Sequence, residues 1–481
     1  GLEIVSRLKT KAFFALASGQ PQANEGEIPL MVYNPHPYKV ETIIECEFQL
    51  EDQNWEDEFI FPVVYSEGNR IPCQVEKEES NLNLDWRKKV VFKADLKPNQ
   101  INRFDCKNKV VSEKPVPQLQ KKDGKITFKN DELHVVINCD TGLIDKYSVN
   151  GDDYFKKDAF LPLVIDDNDD SWGMRVLEFQ EVIGKFQLMS KEEGTKFSGI
   201  EGKMLDSVRI IEDGDVRTIV EAVFAYGDSR ICQRYMLPKE GTEIEVEVRV
   251  YWNEKKKMLK LSVPTVFKKG EYCGQVAYGR DKLPEEGREV VAQKWTGVIS
   301  ESDSRAITCI NDGIYGSDFN EGELRLSLLR SPVYSGHPIK DKPIISKDRF
   351  YPRIDQGERV YKFWINAGKS DKRMKKIGRE ALEHNEKPYA LSFFPSGSGT
   401  KSKPIIKLDD EVVQLTALKK AEQTDDYIIR LFEPTGQKRK FNILMPAFNI
   451  EEEVTLEGFE IKTMMFNEEK KVLKETNMME E

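Results

Sequence analysis

The sequence predicts a mainly β protein made of several domains, and three observations support this. Short apolar segments that alternate in period two recur along most of the chain, and Gly, Pro and Asn residues separate them. The clearest is TEIEVEVRVYW at residues 242–252, which places Ile and Val on one face and charged residues on the other. The length of 481 residues also predicts more than one domain, at about 100 to 200 residues each.

Residues 2–18 are predicted to form a helix, which ends at Ser18 and Gly19. The apolar residues at helical spacing are Ile4, Val5, Leu8, Phe13, Leu16 and Ala17. A single helix would have no partner for this apolar stripe, so we interpret it as the remainder of a preceding helical bundle. Because the chain begins with Gly1 and not with Met, we expect the native N-terminus to lie elsewhere.

Composition and pattern divide the chain into four predicted parts. The segment SEKPVPQLQKKDGK at 112–125 predicts a boundary after a first group of short strands. A second helix is predicted at 369–385, and the Gly/Ser-rich segment FFPSGSGTKSKP after it predicts a linker. The parts are a helix at 1–20, a small sandwich at 28–112, a large β region at 113–387 and a second small sandwich at 400–481.

Charge and cysteine content narrow the class of protein. A net charge of −10, with acidic and basic residues interspersed, argues against nucleic acid or a membrane surface as the main partner. No apolar stretch approaches the ~20 residues of a membrane span. Seven cysteines without a CxxC pair argue against a disulfide framework and indicate reduced thiols in a cytoplasmic protein. The run Lys255-Lys256-Lys257 is interpreted as solvated turn lysines.

The densest acidic cluster is DDNDDSWG at residues 166–173. Asp166, Asn168 and Asp170 have the spacing of the first calcium ligands of an EF-hand, but Ser171 stands where that loop needs Gly. An EF-hand is therefore excluded. Two interpretations stay open, a solvated acidic turn and a loop that faces a substrate.

The four histidines give no metal-binding pattern. His36, His134, His337 and His384 are scattered, and no two of them have the spacing of metal ligands. His134 and His384 are interpreted as structural, and His36 and His337 as exposed turn residues. The sequence also has no Gly-rich phosphate loop, no GxSxG elbow and no Cys/His nucleophile arrangement.

Four ordered stretches resemble one enzyme family. NDGIYGSDFNEGELRLSLLRSPVY, with a preceding YGR and KW, lies within residues 277–338 and resembles the C-terminal β-domain of glycoside hydrolase family 38, the metal-dependent α-mannosidases. DDNDDSWG resembles the family's DxxDSW turn, residues 412–436 resemble its late signature, and PLMVYNPHPY at 29–38 resembles the start of its β-region. The family's HHDAITGT-like motif is absent from the sequence, so the chain is identified as the C-terminal β-rich half without the catalytic barrel.

The resemblance implies a fold and an activity. It implies a mutarotase-like supersandwich flanked by two smaller immunoglobulin-like β-sandwiches, with a short helix left from a helical bundle. The intact enzyme would be a retaining α-mannosidase that uses zinc or another divalent cation. Its nucleophile, acid/base residue and metal ligands would lie in the missing N-terminal part, so we expect no catalytic or metal residue here and no activity of the chain alone. The implied partners are an α-mannoside, that catalytic domain and a possible second copy.

Three residues are predicted to line one wall of the sugar pocket, namely Asp170, Trp172 and Arg330. Family members use the DxxDSW turn near the sugar, and an indole offers a flat apolar face to a sugar ring. Arg330 follows an alternating strand directly and precedes a Ser-Pro stop, in a region that approaches the active site in the family. For Arg330 an ion pair with a surface carboxylate stays an open alternative.

Two other classes of protein are also considered. A stand-alone carbohydrate-binding or structural β-protein would need no barrel, and Trp55, Trp86 and Trp295 could then form an exposed platform for sugar. A mutarotase-like epimerase would need a His/Glu acid–base set inside the large β region. The scattered histidines argue against the epimerase.

Overall fold

A computed structural model describes residues 1–80, 85–174, 178–345 and 348–480. Within those residues the protein has three helices and 36 strands, so the predicted mainly β class is confirmed. The chain forms two compact units. Unit 1 is Gly1–Val116, Gly214–Val216 and Leu382–Glu481, and unit 2 is Pro117–Asp213 and Arg217–Ala381.

Unit 1 begins with helix α1 (Leu2–Ala17), in agreement with the predicted helix. The strands that follow are β1 (Glu27–Asn34), β2 (Val40–Asn54), β3 (Phe59–Ser66), β4 (Asn69–Arg70), β5 (Cys73–Glu76), β6 (Asp85–Leu96) and β7 (Gln100–Val111). One sheet contains β1, β7, β3 and β4 in that order, and the other has the order β2-β6-β5. Leu30 and Phe104 from the first sheet and Phe92 from the second belong to one buried apolar core, which is the arrangement of a sandwich.

Helix α1 is packed along only part of its length. Phe13 and Ala17 are buried in an apolar cluster with Met31 and Ile101 of the first sheet. The apolar side chains of the first two turns are exposed, and these are Leu2, Ile4, Val5 and Leu8. The C-terminal half of the helix is therefore held by β1 and β7, while its N-terminal half presents an open apolar face.

Unit 2 contains the longest all-β region. Its first strands are β8 (Lys121–Lys122), β9 (Lys125–Lys129), β10 (Leu133–Asn138), β11 (Ile144–Val149), β12 (Asp152–Asp153), β13 (Leu161–Asp166), β14 (Val182–Lys185) and β15 (Gln187–Leu188). After helix α2 (Lys191–Phe197) come β16 (Val208–Asp213), β17 (Arg217–Tyr226), β18 (Ser229–Pro238), β19 (Ile244–Trp252), β20 (Lys257–Pro264), β21 (Gly270–Val276) and β22 (Gly279–Lys282). The last elements are β23 (Val290–Val291), β24 (Trp295–Ser300), β25 (Arg305–Asn311), β26 (Gly316–Asn320), β27 (Glu323–Arg330), β28 (Gly357–Lys369) and helix α3 (Ser370–Asn385).

Three sheets of unit 2 enclose one core. A small sheet has the order β12-β11-β10-β9-β8, and a middle sheet has the order β14-β13-β20-β27-β26-β23. The large sheet has the order β15-β17-β18-β19-β28-β25-β24-β21-β22, with β16 also paired to β17. Ile137, Leu261 and Val248, one from each sheet, belong to the same buried apolar cluster. Helix α3 covers the large sheet through Ile377 and Ala381.

The alternating segment 242–252 behaves as its pattern predicts. Strand β19 buries Ile244 and its apolar neighbours at every second position in the core, and those neighbours are Val246, Val248 and Val250. On the other face the carboxylates of Glu245 and Glu247 lie 3.0 and 3.1 Å from Lys362 Nζ on β28. The charged face is therefore an ion-pair network that crosses the strands.

The segment 305–330, which contains the family motif, passes from one sheet to another. It contains three strands, because β25 belongs to the large sheet whereas β26 and β27 belong to the middle sheet. The Asn311 side-chain oxygen accepts the Gly313 and Ile314 N–H groups at 3.1 Å each, which turns the chain from one sheet to the other. Glu321 and Gly322 both have positive φ, at 48° and 83°, and form the tight turn of the β26–β27 hairpin.

The rest of unit 1 follows α3. Its strands are β29 (Tyr389–Ser392), β30 (Lys407–Leu408), β31 (Gln414–Lys420), β32 (Tyr427–Phe432), β33 (Arg439–Met445), β34 (Ile450–Leu456), β35 (Ile461–Asn467) and β36 (Val472–Thr476). β29 pairs with β1 and extends the first sheet, which the sequence did not predict. Sheets β30-β33-β34 and β31-β32-β35-β36 share a core that includes Ile429 and Ile443.

Candidate functional site

The acidic turn after β13 is buried. Asp167, Asp169 and Asp170 are 4%, 6% and 1% exposed. Carboxylates that are removed from water need partners, because an unpaired buried charge is strongly unfavourable. The interpretation of a solvated acidic turn is therefore wrong, and the turn is a fixed structure.

The first partner is Arg330, at the end of β27. Its Nε and Nη2 donate to the two carboxylate oxygens of Asp167 at 2.9 and 2.7 Å, and its guanidinium lies 4.5 Å from the centre of the Phe179 ring. Burial raises the pKa of Asp167 above its ordinary value, although Arg330 acts in the opposite direction. Arg330 thus takes part in an ion pair, as the alternative interpretation held, but its carboxylate partner is buried.

The second partners hold Asp169. Its carboxylate lies 2.5 Å from Lys256 Nζ and also accepts a hydrogen bond from Arg353 Nη1. Lys257 Nζ lies 2.8 Å from a carboxylate oxygen of Glu254. Two of the three turn lysines therefore have carboxylate partners, while Lys255 and Lys256 are exposed to solvent, as the interpretation of this run holds.

Asp170 and Trp172 have different surroundings. Asp170 Oδ1 accepts the Trp172 N–H at 3.2 Å, and Arg330 Nη2 donates to the Asp170 carbonyl oxygen at 3.1 Å. The structure thus brings Asp170, Trp172 and Arg330 together. The carboxylate of Asp170 is directed into its own turn, whereas the indole of Trp172 is 65% exposed. Of the three predicted residues, Trp172 offers the open apolar surface, and the other two support its turn.

A second turn is joined to the first through Ser171. The Ser171 N–H donates to the Gly336 carbonyl at 3.0 Å, its hydroxyl donates to the Val333 carbonyl, and the Gly336 N–H donates to Ser171 Oγ at 2.9 Å. Tyr334 lies between Val333 and Gly336 and is 69% exposed. Sequence reasoning missed this tyrosine. Its signal is an aromatic residue among the turn-forming residues of RSPVYSGHP.

Two carboxylates, the buried Asp318 and the half-buried Glu289, share one lysine at the middle sheet. Lys260 is fully buried, and its Nζ lies 2.5 Å from both Asp318 Oδ2 and Glu289 Oε2. Glu289 also accepts a hydrogen bond from the Ser327 hydroxyl. Burial raises the pKa of Asp318. A retaining glycosidase needs one free carboxylate nucleophile and one acid/base carboxyl beside the sugar. Here both carboxylates are bound to the same lysine and Asp318 is fully buried, so the arrangement suits a structural role.

The candidate metal ligands among the described residues are histidine, cysteine and carboxylate side chains. In the part of the chain that the structure describes, no group of three or more His, Cys, Asp or Glu side chains is placed to hold a metal ion. His36 is 2% exposed, and its Nε2 lies 2.9 Å from the Glu386 carbonyl oxygen, so the expectation that it is an exposed turn residue is wrong. His337 is exposed, as expected.

The predicted tryptophan platform does not form. Trp55 is 72% exposed, but Trp295 is only 3% exposed and belongs to the cluster beneath α3. Trp86 is half-buried, and its Nε1 donates to the Leu50 carbonyl at 3.1 Å. Only one of these three rings is therefore open to a sugar.

None of the helices within the described residues is long and apolar enough to cross a membrane.

Solved structures define the class of fold. A protein in glycosyl hydrolase family 38 from Enterococcus faecalis superposes with a TM-score of 0.69 at 13% identity, covering 96% of this chain and 60% of its own. An α-mannosidase from Enterococcus faecalis V583 superposes with a TM-score of 0.66 at 12% identity, covering 97% of this chain and 58% of its own. The chain therefore has the multi-domain β architecture found in these glycosyl hydrolases.

Sequence comparison identifies the family. Residues 129–343 match the family 38 C-terminal domain of glycosyl hydrolases, and residues 412–481 match the C-terminal beta sandwich domain of the same family. Together the matches cover more than half of the chain. The chain belongs to glycosyl hydrolase family 38, of which it contains the C-terminal region. Alpha-mannosidase G of Dictyostelium discoideum is 24% identical over 382 residues, which are 73% of this chain and 32% of that protein. The chain thus spans about a third of this curated relative.

Proposed function

We propose that this chain is the C-terminal part of an α-mannosidase, a retaining glycoside hydrolase that removes α-linked mannose from glycans or oligosaccharides. The matches to both C-terminal domains of family 38 support the proposal, as does the likeness to proteins named α-mannosidases. In this function the chain braces the catalytic barrel and lines one side of the sugar pocket.

The observation that carries the role in the pocket is the exposed Trp172 on a turn whose carboxylates at Asp167, Asp169 and Asp170 are buried. A fixed aromatic face binds the apolar face of a sugar ring with little loss of conformational entropy. Asp170 and Arg330 act in this proposal by holding the turn, through the N–H of Trp172 and the carbonyl of Asp170. Arg330 also fixes Asp167, so that the whole turn is attached to the end of β27.

We propose that the nucleophile and the acid/base residue lie outside these residues, in a preceding catalytic barrel. Retaining hydrolysis needs two carboxyl groups about 5 to 5.5 Å apart beside the scissile bond. The buried carboxylates of Asp318, Asp167 and Asp169 are engaged by Lys260, Arg330 and Arg353, which leaves them unsuited to attack on a sugar. The chain alone is therefore inactive in this proposal.

Further parts of the proposal rest on the family resemblance. The intact enzyme uses zinc or another divalent cation, whose ligands lie in the preceding part. The proposed domains are the helix at 1–20, the small sandwich at 28–112, the supersandwich at 113–387 and the C-terminal sandwich at 400–481. The open apolar face of α1 packs against a preceding helical bundle. The protein is cytoplasmic in this proposal, which its seven free cysteines support. The proposal also includes the formation of a homodimer.

The first test is an assay of the 481-residue chain with zinc, cobalt or calcium, for release of nitrophenol from an activated α-mannoside. A folded sample is expected to show no turnover, and a longer polypeptide that adds the barrel is expected to hydrolyse the mannoside. Metal-dependent turnover by the chain alone would place the nucleophile within residues 1–481 and contradict the division of labour. Sugar binding without hydrolysis by the longer polypeptide would favour a carbohydrate-binding protein instead.

A further inference from the structure

We propose that Tyr334 is a second sugar-contacting residue, which binds the sugar unit next to the mannosyl residue that is removed. This inference rests on the proposed function, because it takes Trp172 as part of the pocket wall. It adds a specificity determinant that distinguishes an oligosaccharide from a mannoside with a small leaving group.

The first support is that Trp172 and Tyr334 lie on two turns that form one structure. Ser171, directly before Trp172, makes three hydrogen bonds to Val333 and Gly336, the residues on either side of the Tyr334 turn. Both rings are largely exposed, at 65% and 69%. Two open aromatic side chains are thus presented from one hydrogen-bonded pair of turns.

The second support is that the Tyr334 turn is fixed before any ligand binds. The Tyr334 N–H donates to the Pro352 carbonyl at 3.1 Å, and Val333 pairs with Arg353 in an isolated β-bridge. Arg353 in turn binds the buried carboxylate of Asp169, on the same turn as Trp172. A turn whose backbone is already held binds a ligand more favourably than a mobile one, because less conformational entropy is lost.

The third support is the packing around Gly336. A Cβ at this position would lie 2.4 Å from Val333 Cγ1 of the same turn, 2.7 Å from Ile344 Cγ2 and 3.0 Å from the Asp169 carbonyl oxygen of the other turn. The Gly336 backbone therefore lies against the Asp169 carbonyl, with no room for a methyl group. This contact keeps the backbone that carries Tyr334 directly beside the turn that carries Trp172.

The chemistry of the ligand follows from the two rings. One apolar face of a pyranose is matched by one aromatic ring, so Trp172 is sufficient for the mannosyl unit. A second exposed ring on the adjoining turn adds contact area for a neighbouring sugar. Its phenol hydroxyl also provides a donor and an acceptor for sugar hydroxyls. The ligand class is therefore an α-mannoside with at least one further sugar.

The test uses the longer polypeptide that contains the catalytic barrel, with two substrates. α-Mannosyl fluoride has no second sugar, and α-linked mannobiose has one. Tyr334→Ala is expected to lower kcat/KM for mannobiose by about tenfold, mainly through a higher KM, and to leave the value for the fluoride unchanged. Tyr334→Phe keeps the ring and is expected to retain most of the activity on mannobiose.

The controls separate this inference from the proposed function. Tyr315→Ala removes another tyrosine of unit 2, which is 43% exposed and takes no part in the Ser171 contacts. This variant should have the wild-type kcat/KM for both substrates. If Tyr334→Ala has wild-type values while Trp172→Ala is impaired on both substrates, the inference on Tyr334 is wrong and the pocket wall remains. If Tyr334→Ala lowers kcat/KM equally for both substrates, the role in binding a second sugar is also contradicted. If Trp172→Ala has the wild-type kcat/KM for both substrates, Trp172 does not line the sugar pocket, and the inference on Tyr334 is contradicted as well.

Discussion

Arg330 binds Asp167 through two hydrogen bonds, from Nε at 2.9 Å and from Nη2 at 2.7 Å, across 163 residues of sequence. The same guanidinium reaches the Asp170 carbonyl. The end of β27 is thereby attached to the turn that follows β13. Because Asp167 is buried, both charges depend on this geometry, and the pair determines where Trp172 is presented.

Asp167→Asn is expected to lower the free energy of unfolding by about 1 to 3 kcal/mol, because the amide keeps the volume but leaves the guanidinium incompletely paired. Urea unfolding of the chain measures this loss. Asp95→Asn is the matched control, since Asp95 and Lys39 form a 2.8 Å pair in which both side chains are exposed. Such an exposed pair contributes little to stability, so the free energy of unfolding of the control should equal that of the wild type. An equal loss in both variants would show that burial of Asp167 does not matter.

Glu433 is expected to make the stability of the C-terminal sandwich depend on pH. Its fully buried carboxylate accepts the N–H groups of Gly436 and Phe459 and the guanidinium of Arg439. Burial alone would raise its pKa, but hydrogen bonds from the Thr435 hydroxyl, from Arg439 and from the Phe459 N–H lower it below the ordinary value of 4.5. The contribution of an ionised group with a lowered pKa is present above the unfolded pKa and is lost as pH falls through the folded pKa.

Glu433→Gln should therefore reduce stability by about 1 to 3 kcal/mol at neutral pH. The difference from the wild type should shrink as pH falls below 4.5. Thermal unfolding of the two proteins across pH 3 to 7 measures it. Glu457→Gln, at an exposed pair with Lys438, should show no such trend. A constant difference between wild type and Glu433→Gln across this range would contradict the expectation.

How much the sequence could predict differs between β19 and the acidic turn. The period-two pattern of β19 was sufficient to predict the strand and its buried face, because both depend on residues within the same segment. The burial of the acidic turn could not be predicted in this way, because its partners are distant in sequence. Arg353 lies 184 residues from Asp169. A local run of carboxylates looks solvated until the cations that enclose it are placed.

The same limit explains the other differences. Strand β29 follows a predicted helix and pairs with β1, near the opposite end of the chain, so no local pattern indicates it. Tyr334 lies in a turn whose position depends on Ser171, which is likewise remote in sequence. Trp172 was found only because its turn resembles a family motif. The burial of Asp170 and the buried partner of Arg330 could not be predicted from the sequence, because both depend on how distant segments pack together.

Lys260→Met tests the buried cluster of the middle sheet. The substitution keeps the volume but leaves the carboxylates of Asp318 and Glu289 without their cation, at an expected cost of about 3 to 5 kcal/mol. Without Lys260 the folded-state pKa of Asp318, already raised by burial, rises further. A carboxyl with a raised pKa binds its proton more tightly in the folded state, so stability falls as pH rises.

The Lys260→Met variant should therefore have a higher Tm at pH 5 than at pH 8, as measured by calorimetry. Asp318→Asn on the same background should recover part of the loss and flatten the pH dependence, because it removes one of the two uncompensated charges. A pH-independent Tm for Lys260→Met would mean that water reaches the cluster and screens it.

Gly336→Ala tests the contact between the two turns of the candidate site. The new methyl group would lie 2.4 Å from Val333 Cγ1, 2.7 Å from Ile344 Cγ2 and 3.0 Å from the Asp169 carbonyl oxygen, which is closer than van der Waals contact allows. We expect a loss of about 1 to 3 kcal/mol, because the backbone of one turn must move. Gly279→Ala is the matched control, since the nearest atom to its Cβ is Val276 Cγ2 at 3.5 Å, and it should stay within about 0.5 kcal/mol of the wild type. Chemical denaturation measures both variants. If Gly336→Ala is as stable as Gly279→Ala, the turns have room to separate, and the fixed presentation of Tyr334 beside Trp172 does not hold.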